Sequence, residues 1–137
     1  MQERLLGGLK VRLAGGIDGV GGGDGPVVML LHGFGAPGDD LVPLADVMDA
    51  PRETRWLFPE APLSLNIGLG DSRAWWIIDF ARIQADREAG RIRDLSVEVP
   101  QGLALARERF LTFLKELPRQ LPINYSKTVI GGFSQGA

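Results

Sequence analysis

The sequence is most restrictive in what it lacks. It has no cysteine, which removes disulfides, thiolate metal sites and cysteine nucleophiles. It has one histidine, His32, so a histidine-rich metal centre is excluded and no metal or other cofactor is expected. Its formal net charge is −2, with no basic field to grip phosphate backbones, so nucleic acid is excluded as a partner class. Its longest apolar runs, VVMLL and AWWII, are far too short to span a bilayer. The start, MQERLLGG, has no apolar secretory core, and a cytoplasmic location is the default expectation. The glycine-rich segment from Gly15 to Gly25 does not fit the G-x-G-x-x-G dinucleotide pattern, and no glycine-lysine phosphate loop is present.

What is present fits one globular domain. The 137 residues provide one core and not two, and 45% of them are apolar. LKVRL (Leu9 to Leu13) alternates apolar and basic, which predicts a half-exposed strand. Gly15 to Gly25 is glycine-rich enough to read as a turn. Val27 to Leu31 reads as a strand buried on both faces, and Thr54 to Phe58 as a second buried strand. Asp39 or Asp40 can cap a helix running to about Met48. Pro59 to Arg73 reads as a long loop, and Arg82 to Asp94 as a charged, solvated stretch. From Pro100 to Leu121 the spacing of Leu103, Ala106, Phe110, Leu114, Leu117 and Leu121 predicts an amphipathic helix, ended or bent at Pro118. KTVIGG is then a strand leading into FSQGA. Strands alternating with helices predict an α/β domain with a mostly parallel sheet and flanking helices.

Gly132-Phe133-Ser134-Gln135-Gly136 fits G-x-S-x-G. In that pattern a sharp strand-to-helix turn exposes the serine oxygen above a sheet, and the flanking glycines remove β-carbons that would clash. In a chain with 19 glycines the pattern alone also fits a surface serine in a glycine turn; the apolar strand before it is the context a nucleophile needs. A serine nucleophile requires N–H donors for the oxyanion. The candidates are the amide of Gln135 and, from the loop His32-Gly33-Phe34-Gly35 after an early strand, the amide of Phe34.

VVMLLHGFGAPGDDLVPLAD, LFPEAPLSL, RAWW, EVPQGL and VIGGFSQGA, in this order, resemble the phospholipase/carboxylesterase family of α/β-hydrolases, which includes acyl-protein thioesterases and small bacterial carboxylesterases. The similarity runs from about Val27 to Ala137. The resemblance implies an α/β-hydrolase fold, a Ser-Asp-His triad with Ser134 as nucleophile, and an oxyanion hole from Phe34 and Gln135. It implies hydrolysis of a small-molecule ester or thioester without a cofactor. His32, Gly33, Gly35, Gly132 and Gly136 are then supporting residues. Trp75 and Trp76 are either pocket walls or ordinary core and rim aromatics. His32 can be read as a substitute base or as a brace of the oxyanion loop, and its place in the loop favours the brace. Asp39 and Asp40 can be read as paired carboxylates or a metal site, or as a helix cap and loop brace.

In this fold the acid and base follow the serine along the chain, and only Gln135, Gly136 and Ala137 follow Ser134. The resemblance therefore implies one incomplete hydrolase domain over 1–137, the N-terminal part of a longer enzyme, inactive by itself. The strand TVIGG then becomes an exposed apolar edge. Two other readings stand beside this one. In one, a non-catalytic half assembles as a homodimer or with a partner chain. In the other, a hydrolase of the same fold acts on peptides or lactones.

Overall fold

The computed structural model describes residues 1–65, 70–91 and 98–137. Parts of the predicted Pro59–Arg73 loop and of the charged Arg82–Asp94 stretch lie outside the described residues. Strands β1 (Gln2–Leu6) and β2 (Leu9–Gly16) form an antiparallel hairpin turned by Gly7 and Gly8. Then follow β3 (Val20–Gly22), β4 (Val27–Leu31), a single helical turn α1 (Leu44–Val47) and β5 (Arg55–Pro59). A small antiparallel pair, β6 (Leu63–Leu65) with β7 (Ser72–Ala74), precedes the helices α2 (Phe80–Glu88) and α3 (Leu103–Gln120). The last strand is β8 (Thr128–Gly132), followed by a 3-10 turn, Ser134–Gly136.

The main sheet runs β1-β2-β5-β4-β8, with β3 beside β2. Within it parallel pairing predominates, as expected, with antiparallel pairing confined to β1–β2 and β2–β5. β5, β4 and β8 are mutually parallel, while β1 and β2 join antiparallel. The short β1–β2 hairpin is the reason, since two residues between strands permit only an antiparallel return. The parallel half is the one that carries the candidate site.

The core lies between one sheet face and α3. Val11, Leu13, Val27, Met29 and Leu57 meet Ala106, Phe113, Leu117 and Leu121. Phe113 is fully buried, although the predicted helical stripe ran through Phe110 and Leu114 instead. Pro118 neither ends nor interrupts α3, which continues to Gln120; the Leu114 carbonyl that a residue-118 N–H would have bonded accepts the Tyr125 hydroxyl instead. Val28 and Leu30 on the far face of β4 are only half-buried, so the strand is fully covered on one face alone.

Two polar expectations are corrected. Asp39 and Asp40 do not cap a helix. They sit in successive turns, and the one-turn α1 starts at Pro43 without a side-chain cap. Arg12 in β2 is buried rather than solvated, because it pairs with the buried Glu60 at 2.8 Å.

Among the described residues β8 is the strand beyond β4, with Val129 64% and Ile130 44% exposed. No helix among the described residues is long and apolar enough to cross a membrane.

Candidate active site

The sheet brings two loops together at the carboxyl ends of its parallel strands. β4 and β8 pair from Val27 with Thr128 through Leu31 with Gly132, so His32 and Phe133 leave the sheet side by side. The Phe133 N–H donates to the Leu31 carbonyl at 3.0 Å and extends the pairing by one step.

Beyond that point the chain bends sharply. Ser134 has φ +53°, the only positive φ of a non-glycine residue among the described residues. Such a conformation costs about 1–3 kcal/mol and persists only where neighbours impose it. Here they do. The turn closes through Gly136 N–H to Phe133 O at 2.9 Å and Ala137 N–H to Ser134 O at 3.1 Å. A β-carbon on Gly132 would overlap the Gly136 carbonyl, and one on Gly136 would overlap the Leu31 carbonyl. Both glycines of the motif are thus required by close backbone packing. The Ser134 side chain is exposed and has no hydrogen-bond partner among the described residues.

The His32–Gly35 loop passes directly over this bend. A β-carbon on Gly33 would lie 3.3 Å from Ser134 Cβ, so only glycine lets the loop come this near without crowding the serine. Gly35 N–H donates to Arg73 O at 2.8 Å, and Arg73 N–H donates to Ala36 O at 3.1 Å. The Phe34 N–H is left without an acceptor among the described residues, and the Gln135 N–H is not one of the donors that close the serine turn. The two amides lie on the two loops that meet at Ser134.

His32 is 2% exposed and holds the loop from beneath. Its Nε2 accepts the Ala61 N–H at 3.0 Å, so the ring proton sits on Nδ1 and donates to the Gly33 carbonyl at 2.8 Å. Burial pushes its pKa below the ordinary histidine value, outweighing the Gly33 carbonyl and the carboxylates of Asp40 and Glu60. With both nitrogens engaged, this ring has no lone pair to offer Ser134.

Trp75 and Trp76 both line one open groove, at different depths. Trp75 is buried, and its Nε1–H donates to the His32 carbonyl at 2.9 Å. Trp76 is half-buried and borders an open groove. The Gln135 side chain ties both to the serine turn. Its Oε1 accepts Trp75 N–H at 2.9 Å, and its Nε2–H donates to Trp76 O at 2.8 Å. Sequence reasoning assigned Gln135 only a backbone role, and nothing in the motif spacing signals the second one. The Phe34 ring meets Phe80 edge-to-face, with centroids 5.4 Å apart.

Behind the loop, Glu60 is 3% exposed and accepts from Arg12 at 2.8 Å, Arg73 at 2.9 Å and Lys10 at 3.3 Å. Arg73 is the residue whose backbone clamps Gly35 and Ala36, so this ion cluster anchors the loop. Asp39 and Asp40 are exposed, and no group of acidic or histidine residues suited to a metal occurs among the described residues.

The model of the phospholipase/carboxylesterase family matches residues 23–137. No curated protein matches the chain. Among solved structures, the crystal structure of esterase PE8 is similar with a TM-score of 0.65 and 27% sequence identity. The match covers 91% of this chain and 54% of that one, so the chain spans about half the esterase's length.

Proposed function

Because the chain belongs to the phospholipase/carboxylesterase family and has its α/β-hydrolase fold, we propose that it carries the nucleophile and oxyanion hole of a serine hydrolase of carboxylic esters or thioesters. Ser134 Oγ attacks the carbonyl carbon. The amides of Phe34 and Gln135 receive the oxyanion, and each such donor is worth about 3 kcal/mol of transition-state stabilisation. The alcohol or thiol leaves, and water then cleaves the acyl-serine. The observation that carries this reading is the strained Ser134 turn lying under the Gly33–Phe34 backbone.

The attacking hydroxyl must lose a proton. His32 is the only histidine and spends both nitrogens bracing the loop, so the base comes from outside these 137 residues. By itself the chain turns esters over very slowly, since losing the histidine of a triad costs on the order of 10⁶-fold in kcat.

Chemical rescue tests this directly. Imidazole added to the protein with an activated acetyl ester is expected to speed hydrolysis beyond imidazole's own background rate. Ser134→Ala is expected to abolish that increment. An increment that survives Ser134→Ala overturns the nucleophile assignment. Ordinary esterase rates without imidazole overturn the assignment of an external base.

The exposed β8 edge favours a second reading, in which this chain assembles with another copy or a partner chain across Val129 and Ile130.

A further inference from the structure

The two loops that meet at Ser134 are joined at their base by the β4–β8 pairing, which ends at Leu31 with Gly132. Farther out, the Gln135 side chain joins them by another route. Its carboxamide lies along the backbone just after β7, with Oε1 accepting the Trp75 N–H at 2.9 Å and Nε2–H donating to the Trp76 carbonyl at 2.8 Å. A carboxamide offers an acceptor and a donor side by side, so it satisfies an N–H and a carbonyl of one backbone segment at once. A carboxylate of the same length has no donor for the Trp76 carbonyl, and a methionine side chain has no donor at all and only a weak acceptor.

The segment that Gln135 grips is itself fixed. Trp75 is 4% exposed and meets Phe110 of α3 edge-to-face, with ring centroids 6.3 Å apart. From there two contacts lead to the other loop. The Trp75 indole N–H donates to the His32 carbonyl at 2.9 Å. Two residues before Trp75, the backbone of Arg73 is bonded to Gly35 and Ala36. Among the described residues no backbone hydrogen bond joins residues 134–137 to residues 33–36 directly. The circuit closes instead through the Gln135 side chain, Trp75, the His32–Gly35 loop, β4 and β8.

We propose that Gln135 is a positioning residue, whose side chain makes the serine turn and the His32–Gly35 loop move as one unit. The linkage stands on these contacts alone. What it serves rests on the ester reading, in which the two loops carry the Phe34 and Gln135 amides and an oxyanion needs both donors preorganised.

Amide hydrogen exchange followed by NMR tests the linkage in this chain without any turnover. The Gly136 N–H, bonded to Phe133 O, reports the serine turn, and the Gly35 N–H, bonded to Arg73 O, reports the other loop. The Arg55 N–H, bonded to Pro26 O at 2.8 Å at the opposite end of the parallel strands, reports the rest of the fold. Gln135→Met is expected to speed exchange at Gly136 and Gly35 together by about tenfold, the scale of one lost hydrogen bond, and to leave Arg55 unchanged. Gln135→Glu, which keeps an acceptor for the Trp75 N–H, is expected to give the same pattern with a smaller factor, and it serves if the methionine variant folds poorly. Faster exchange at Gly136 with Gly35 at its wild-type rate would overturn the proposal. So would equal acceleration at all three amides, which would make Gln135 a support of the whole fold, or no change at any of them. With imidazole as the base, Gln135→Met is expected to lower kcat for the activated acetyl ester by about tenfold at unchanged KM, less than deleting a donor costs. A raised KM at unchanged kcat would overturn the positioning role. A wild type without a Ser134-dependent increment would refute the nucleophile reading alone, and the exchange rates would still decide the linkage.

Discussion

Replacing His32 by glutamine probes the brace beneath the Gly33–Gly35 loop. The wild-type ring is neutral, with Nε2 accepting from Ala61 and Nδ1–H donating to Gly33. Protonation would set an N–H against the Ala61 N–H in a site that is 2% exposed, and burial accordingly lowers the pKa. The sign follows from linkage. In the unfolded chain His32 titrates near 6.5, while in the folded chain it resists the proton, so below about pH 6.5 the unfolded state binds more protons. Stability is complete above that pH and falls as the pH drops, by up to about 1.4 kcal/mol per unit for one proton, until the folded pKa is reached. Glutamine can accept from Ala61 but does not titrate. It leaves the Gly33 carbonyl short of a donor, which costs about 1–3 kcal/mol at neutral pH. Urea denaturation of both proteins from about pH 5 to about pH 8 gives the difference directly, since the shared carboxylates cancel. The gap is expected to be widest above pH ~7 and to shrink as the pH falls. Parallel curves would refute the neutral brace. A gap that widens in acid would mean that Asp40 and Glu60 hold the ring charged.

The ion cluster and the sheet edge give two further expectations. Glu60→Gln leaves Arg12 with only Glu3 at 3.2 Å and Arg73 with only Asp71 at 3.0 Å, both more exposed partners. Breaking a buried pair costs about 3–5 kcal/mol, and the retained contacts put this variant at the lower end, read as a fall in the urea midpoint; an unchanged midpoint would show that the cluster adds no stability. At the edge, wild-type protein is expected to sediment as a dimer or larger at micromolar concentration. Val129→Lys, at a site already 64% exposed, is expected to sediment as a monomer with an unchanged denaturation midpoint. A monomeric wild type would refute assembly through β8.

What could be read from the sequence follows from what each signal depends on. The serine turn was legible because its requirements are local. Apolar β8, the flanking glycines and the serine all lie within Thr128–Gly136. The His32–Gly35 loop was legible for the same reason, as a glycine-rich break after an apolar strand. The long helix was found by its period, but the period chose Leu114 and Phe110 as core when Phe113 is the residue fully buried. Several rotations of a helix fit nearly the same leucines, and only the sheet it packs on decides between them. The parallel α/β sheet was legible from the alternation of strands and helices, whereas its antiparallel margin was not, because pairing of β2 with β5 joins segments some forty residues apart with no turn between them to announce it.

The polar residues were read least well, and for a single physical reason. Arg12 looked solvated because arginine usually is, and Asp39 and Asp40 looked like caps because acidic residues usually precede helices. Whether such a side chain is buried depends on a partner that sequence distance does not reveal. Arg12 meets Glu60, and Glu60 also meets Arg73, whose backbone clamps the loop at Gly35 and Ala36. Gln135 belongs to the same class. Its backbone role follows from its place after the serine, whereas its side chain reaches Trp75 and Trp76, sixty and fifty-nine residues away. The local motif thus shapes the serine turn, while distant polar contacts set how firmly it is held. A substitution at Glu60 or in the Gln135 side chain is therefore expected to loosen the serine turn while leaving Ser134 and the backbone amides around it in place.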